Sequence, residues 1–258
     1  MAHHASGADC LTGIMKNMYQ EHRPPPRLAP FVECFWTLRA TEDIRDYPVL
    51  PDGCADIVYT RGAGWSGPRL VGTMTRTQSF SVKAGQFHCG VRFRPGMSTS
   101  FLPNPAAGTI DQSIPLAELW GQRVRSLGTQ LDDTREPDQC VALFEAELVN
   151  PAAPGIAQQI AAYIVNHAGK IRVDNLAFEA GMSARQLRRV FIEQVGLSPK
   201  HFCRVIRFRH SVSQLAERPR GDWTQLALDC GYYDQAHFIN EFRELSGYSP
   251  GEFLSRPR

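Results

Sequence analysis

Long apolar runs are missing from this chain of 258 residues. None approaches the roughly 20 consecutive residues that a bilayer crossing needs, so no membrane span is expected. The stretch from Met1 to Leu11 lacks a basic segment followed by an apolar core. No secretion signal is therefore expected, and the chain reads as cytoplasmic. His3-His4 is too short to read as a tag. Cysteine is present but unorganised. Cys10, Cys34, Cys54, Cys89, Cys140, Cys203 and Cys230 are odd in number and scattered, and none forms Cys-x-x-Cys. That excludes a clustered zinc site and a disulfide scaffold and leaves reduced thiols, several of them buried as small apolar residues. Net charge is also slight, +2.

What is there divides into two parts. The length suffices for two domains, each with its own core. Two prolines and a glycine in Asn150-Pro151-Ala152-Ala153-Pro154-Gly155 interrupt both helix and strand, which makes this the linker. Residues 155–258 carry 14 Lys/Arg against 10 Asp/Glu, and residues 1–154 carry 14 against 16. A mildly basic C-terminal part is compatible with nucleic-acid binding. Before the linker the texture is β-rich. Residues 31–38 and 56–60 are aromatic or β-prone, and residues 79–83 and 87–94 alternate with period two. Pro51-Asp52-Gly53 and Arg61-Gly62-Ala63-Gly64 mark turns. From Ser113 the pattern turns helical, with Leu116, Leu119, Trp120, Val124 and Leu127 on one face, and a further helix is expected from Asp138 to Leu148. After the linker every segment reads as helix. One opens at Ile156. Asp174, Ser183 and Asp222 are expected caps, and Pro199 starts a long helix running to about Leu215. Arg218-Pro219-Arg220-Gly221 ends it, and Ser249-Pro250 opens a last short helix.

The C-terminal part contains one pattern twice. Leu176-Ala177, Gly181, Phe191, Gly196 and Ser198-Pro199 recur as Leu226-Ala227, Gly231, Phe242, Gly247 and Ser249-Pro250. The offset is 50 residues through the central glycine and 51 after it, so the second copy has one extra residue in its turn. Each copy reads as helix, turn, helix and a Gly-x-Ser-Pro exit, the order of a helix-turn-helix. Ala177 is small where the two helices cross. Gly181 supplies the positive φ of the turn at little cost, and Met182, Leu187 and Val190 face inward. Two such motifs on one rigid piece suit two successive major grooves, about 34 Å apart.

The outward face of the first motif's second helix is Arg185, Gln186, Arg188 and Arg189. An arginine fork fits guanine O6 and N7 together. The matching face of the second motif is Gln235, Ala236, His237 and Asn240, which suits adenine and the thymine methyl, so the second motif is expected to read more weakly. His237 has an alternative role, a hydrogen bond that satisfies the turn. Between the motifs, Lys200, Arg204, Arg207 and Arg209 interleave with Phe202, Val205, Ile206 and Phe208. The apolar set is expected to hold the motifs apart, with the arginines near flanking phosphates or acidic partners such as Glu193.

With these residues in view, the C-terminal hundred residues resemble the AraC/XylS family of bacterial transcription regulators. The motifs are Leu176-Ala177…Gly181-Met182-Ser183, Arg188-Arg189-Val190-Phe191, Gly196-Leu197-Ser198-Pro199, Arg204-Val205-Ile206-Arg207-Phe208, Leu226-Ala227…Cys230-Gly231-Tyr232, Asp234-Gln235-Ala236-His237-Phe238 and Gly247-Tyr248-Ser249-Pro250. The resemblance implies a seven-helix DNA-binding domain with two recognition helices. Its base-facing positions are the eight just named, and many members have arginine where Asn240 stands. Residues 50–58 and 90–96 resemble the domain that precedes AraC-type domains in many uncharacterised regulators. That implies a small cupin-like or β-barrel-like sensor followed by helices able to dimerise.

The expected architecture is therefore α+β. Residues 1–150 form a β-rich sensor or dimerisation domain with helices, and residues 155–258 an all-α domain of two helix-turn-helix motifs joined by a long helix. The expected function is a sequence-specific transcription regulator that is not an enzyme. The alternatives are an effector-independent dimeric DNA-binding protein and, less favoured, a DNA-repair enzyme with an AraC-type tail. The latter needs a zinc-binding cysteine cluster and a reactive thiol at spacings this sequence lacks. Expected partners are double-stranded DNA, a small-molecule effector, RNA polymerase and a second copy of the chain. Effector candidates are Asp52 and Asp56 on a turn, with Arg92 and Arg94 on one strand face; the competing reading is an internal Arg–Asp salt bridge. No cofactor and no metal is expected. A cupin metal site needs several histidines, and residues 31–120 contain only His88. His88, Cys89 and Cys54 match no known ligand spacing.

Overall fold

The computed structural model describes residues 18–62, 67–102, 106–134, 136–218 and 222–256. Cys10, the His3-His4 pair, Ala63-Gly64 of one expected turn and Pro219-Arg220-Gly221 of the expected helix break lie outside the described residues.

Among the described residues eight strands come first: β1 (Tyr19–His22), β2 (Val32–Arg39), β3 (Ile44–Val49), β4 (Asp56–Arg61), β5 (Arg69–Val71), β6 (Gln78–Val82), β7 (Phe87–Phe93) and β8 (Ser113–Pro115). Six make one antiparallel sheet in the order β1-β2-β7-β4-β5-β8, and β3 pairs with β6 as a separate ribbon. Val91 stands opposite Phe35 on one side and Ile57 on the other. Because side chains alternate, Phe35, Ile57, Tyr59, Cys89, Val91 and Phe93 go to one face. Cys34, Trp36, Leu38 and Val58 go to the other, with Ile44 and Val82 of the ribbon.

Three helices, α1 (Ala117–Trp120), α2 (Arg123–Asp133) and α3 (Pro137–Glu147), follow the strands, and their apolar side chains join the first sheet face. Leu116, Val124, Leu127, Leu131, Cys140, Val141 and Phe144 are buried in that core, each larger apolar side chain contributing about 1.5–3 kcal/mol by leaving water. The helical stripe from Leu116 to Leu127 is thus used internally. It starts later than expected: Ser113–Pro115 is a strand paired with β5, and Gly121, at φ 60, separates α1 from α2. β1, β3 and β5 gave no sequence signal. β5 is three residues long. β3 contains Pro48 and a positive-φ Asp46, and its register shifts between Ile44 and Tyr47.

After residues 149–155, which form neither helix nor strand, the chain is helical: α4 (Ile156–Asn166), α5 (Val173–Glu179), α6 (Ala184–Val195), α7 (Pro199–Glu217), α8 (Trp223–Asp229), α9 (Gln235–Ser246) and α10 (Pro250–Ser255). Capping explains the starts. Ser183 accepts from the Gln186 amide, Ser198 from His201, Asp222 from Thr224 and Gln225, Asp234 from His237, and Ser249 from Glu252. Such caps are worth about 1 kcal/mol each. Asp174 is not a cap: α5 begins after Arg172, and Asp174 lies in its first turn, where a carboxylate suits the helix dipole. One core joins α4 to α9 through Ile160, Leu176, Leu187, Phe191, Phe202, Phe208, Leu226, Phe238 and Phe242.

The helical body packs directly on the β-rich body. At Gly53, with φ +82, an added Cβ would stand 3.1 Å from Ile206 and 3.2 Å from Phe202 of α7. Glycine suits the positive φ there and lets the turn approach the helix without displacing either side chain.

Candidate nucleic-acid interface

Two equivalent motifs, α5–α6 and α8–α9, are built by the same local contacts. Ala177 and Ala227 are buried. Their carbonyls accept the amides of Met182 and Tyr232, both at 2.9 Å, which closes each turn around Gly181 (φ 62) and Gly231 (φ 82). Phe191 of the first motif meets Phe202 edge to face at 5.4 Å, and its equivalent Phe242 meets Phe208 at 5.0 Å. α7 therefore holds one motif at Phe202 and the other at Phe208, as its interleaved apolar residues led one to expect.

Arg185, Gln186, Arg188 and Arg189 are all exposed on α6. They are not equally available. The Gln186 side chain closes a capping box, its Oε1 accepting from the Ser183 amide at 2.9 Å. Arg189 lies 3.6 Å from Glu193, a surface pair worth at most about 1 kcal/mol. Arg185 and Arg188 make no hydrogen bond or ion pair with another described residue. On α9, Ala236, His237 and Asn240 are exposed and Gln235 is half-buried. Gln235 Oε1 accepts from the Thr224 hydroxyl at 3.0 Å. His237 Nδ1 accepts from the Tyr233 amide at 3.3 Å, and its Nε2 lies 3.8 Å from Glu241, so the imidazole does support the turn. Asn240 makes no hydrogen bond with another described residue.

Two exposed residues escaped the sequence reading. Arg243 lies in the last turn of α9, at i+7 from Ala236 and i+3 from Asn240, hence on their face; that spacing was the available signal. Tyr233, the residue before the Asp234 cap, is 86% exposed. It lies in the turn that the second copy lengthens by one residue.

The arginines of α7 do something other than meet phosphates. Arg204 donates to Glu241 at 2.8 Å and to Glu244 at 2.6 Å, and Arg207 donates to Glu241 at 2.9 Å. Glu241 is 5% exposed, so two guanidiniums from α7 bind one buried carboxylate on α9. Arg209 turns the other way and pairs with Glu33 of β2. The acidic partners are therefore Glu241, Glu244 and Glu33; Glu193 serves Arg189. Lys200 is exposed at the start of α7. Burial alone would raise the Glu33 carboxyl, but the charge and hydrogen bonds of Arg209 hold it below its ordinary value of 4.5. A depressed carboxyl adds stability above the unfolded value and loses it in acid. The stability gap between wild type and Glu33→Gln, read by thermal melting, should therefore shrink as the pH falls below 4.5.

The four effector candidates do not form one group. Arg92 is buried and donates to Asp56 at 3.1 and 3.2 Å, with Asp52 at 3.9 Å. Burial would lower the Arg92 pKa, and Asp56 and Asp52 overrule it, so the guanidinium stays charged. Asp52 Oδ1 also accepts the Cys54 amide at 2.9 Å. Arg94 lies past the end of β7, exposed, and donates to the Ala29 carbonyl at 2.7 Å, with no bond to Asp52, Asp56 or Arg92. The geometry of Asp52, Asp56 and Arg92 is that of an internal ion pair. His88 and Cys89 point to opposite faces of β7. The His88 Nδ1 lies 2.9 Å from Thr60 Oγ1, and the Cys54 thiol is bonded to Glu33.

Residues 176–256 match a family described as a helix-turn-helix domain, and residues 20–115 match one described as a domain of unknown function (DUF6597). Among curated proteins, the HTH-type transcriptional activator RhaR of Klebsiella pneumoniae subsp. pneumoniae is 35% identical over 82 residues, 31% of this chain and 28% of RhaR. The HTH-type transcriptional activator RhaS of Enterobacter sp. is 27% identical over 151 residues, 51% of this chain and 53% of RhaS. The chain thus spans about half or less of these relatives. A solved structure of ToxT from Vibrio cholerae aligns over 92% of this chain and 98% of ToxT, at 12% identity and a TM-score of 0.42. The family match and the two equivalent motifs together show that residues 176–256 are a helix-turn-helix domain built from two copies of one motif.

Proposed function

We propose that the chain is a transcription regulator that binds double-stranded DNA sequence-specifically, without catalytic activity. One observation carries this reading. Two equivalent recognition helices, α6 and α9, keep their outward faces in solvent while their inward faces and the rod between them are buried. Arg185, Arg188 and Arg189 supply charge and guanine recognition from α6. Ala236 and Asn240 read from α9, and Arg243 adds a positive charge there. Gln186, Gln235 and His237 contribute by fixing helix starts, because their side chains already bond within the motif. The names of RhaR and RhaS support the regulatory role.

The reading gives residues 155–258 to DNA and residues 1–150 to a control body, in the cytoplasm. Its further partners are a small-molecule effector, RNA polymerase and a second copy of the chain. At the proposed effector residues, an ionic ligand would have to displace the Arg92–Asp56 and Arg92–Asp52 pairs. A thermal-shift screen of metabolites, with light scattering on each hit, separates a sensor from a body that only dimerises. The DNA reading is tested by selecting duplexes from a random pool with the full chain. Enrichment of a site with two half-sites is expected. A pool that stays random through successive rounds, with binding that depends on salt alone, removes the claim of sequence specificity.

A further inference from the structure

The two recognition helices end alike. Gly196 follows α6 and Gly247 follows α9, and each glycine amide bonds back into its helix, to Ile192 and Arg243. Two residues before each glycine stands a carbonyl, Gln194 or Leu245. These two positions are equivalent in the repeat, 51 apart. A carbonyl in the last turn of a helix has no partner within it and needs one from elsewhere.

Both partners come from the β-rich body, and both are threonines. The Thr99 hydroxyl donates to the Gln194 carbonyl at 3.0 Å. The Thr77 hydroxyl and amide donate to the Leu245 carbonyl at 3.0 and 2.9 Å. Neither threonine is loosely placed. Thr99 sits in a short 3-10 turn, Ser98–Ser100, and its oxygen also accepts from Gln158 of α4 at 3.0 Å. The loop of Thr77 is braced by Asp111, which accepts the Thr75 amide at 2.8 Å, the Thr75 hydroxyl at 2.6 Å and the Gln78 amide group at 3.4 Å. Between these two points the same body grips the rod itself, through Arg209–Glu33 and through Gly53 against Phe202 and Ile206.

We infer that Thr99 and Thr77 are positioning residues: the β-rich body clamps equivalent points of α6 and α9 and so sets the spacing and relative tilt at which they meet DNA. This rests on the DNA reading above, but its geometric half does not. α7 ties the motifs together on one side, with Lys170, ahead of α5, also bonded to the Asp229 carbonyl at the end of α8. Hydrogen bonds at the C-terminal end of each recognition helix add a second hold, from the β-rich body.

The test uses the full chain as wild type, as Thr77→Val/Thr99→Val, and as Thr77→Ser/Thr99→Ser. Valine keeps the shape and removes the hydroxyl, so α6 loses its bond to Thr99 while α9 loses one of two and keeps the Thr77 amide bond to Leu245; serine restores both hydroxyls. Fluorophores on azidophenylalanine placed at positions 178 and 228, exposed and equivalent sites on α5 and α8, report the distance between motifs without DNA. A single narrow distance is expected for wild type and the serine variant, and a broadened one for the valine variant. On selected duplexes with one base pair added or removed between half-sites, wild type should lose about tenfold in affinity and the valine variant only about twofold, since each hydroxyl contact is a net term of modest size. The valine variant should also bind the unaltered site about fivefold more weakly. Equal distance widths in wild type and the valine variant overturn the clamp, as does an unchanged tenfold spacing penalty. If wild type binds no duplex, the DNA reading falls and the distance widths alone decide.

Discussion

Glu241→Ala should lower the stability of the chain by about 3 kcal/mol, the low end of what removing one partner of a buried ion pair costs. Glu241 is 5% exposed and accepts from Arg204 and Arg207. Without it, two half-buried guanidiniums of α7 lose their shared carboxylate, and Arg207 is left over the Tyr232 ring at 4.8 Å. The loss stays at the low end because the Arg204 and Arg207 side chains are 22% and 15% exposed and regain some water. Arg204 also keeps Glu244. For a chain of this size the melting temperature should fall by roughly 10 °C. Urea unfolding of wild type and variant measures it. A change under about 1 kcal/mol would mean that the three-residue link does not hold α9 to the rod.

Replacing Arg185, Arg188 and Arg189 together with alanine should reduce affinity for the selected duplex by roughly a hundredfold or more, and should flatten the dependence of log K on log salt by up to about 3. All three are exposed on α6, so the melting temperature should change little. Asn240→Ala gives the contrast. It should cost about 1–3 kcal/mol of binding at one base position and leave the salt dependence alone, because no charge is removed. Titrations of both variants at several salt concentrations separate charge from readout. If the triple variant keeps the wild-type salt slope, α6 does not lie against the duplex.

The helical body was the legible part of the sequence, because its signals are local. Ser183 and Asp222 cap helices where the sequence placed them, the helices expected at Pro199 and Ser249-Pro250 start there, and the 51-residue offset foretold the equivalence of Phe191 and Phe242. What the sequence hid was direction. Arg204, Arg207 and Arg209 fall within six residues on α7, yet they point to α9 or to β2 according to helix phase and to the neighbour packed on each side. A composition of four cations in one helix reads equally well as a phosphate-facing stripe. At Gln186 and Gln235 the residue type suits bases, and the fold adds what sequence does not show: local hydrogen bonds from Ser183 and Thr224 to the side-chain oxygens. In the β-rich body the long alternating strands were readable, whereas β3, with Asp46 and Pro48, and the three-residue β5 exist only through their pairing partners. Arg92 and Arg94 were assigned to one face by strand period, and the strand ends at Phe93 between them.

The most direct measurement of the central claim is methylation interference with the full chain on its selected duplex. Methylation of guanine N7 and adenine N3 marks the major and minor grooves separately. A cluster of interfering guanines is expected in the major groove under α6, and 7-deazaadenine substitution, which removes the adenine N7 acceptor, should mark a second major-groove cluster under α9, on the same side of the duplex and centred about 10–10.5 base pairs away, with the guanine cluster lost in the Arg185, Arg188 and Arg189 variant. A single cluster in wild type, or two clusters half a turn out of phase, would contradict the placement of α6 and α9 in successive grooves.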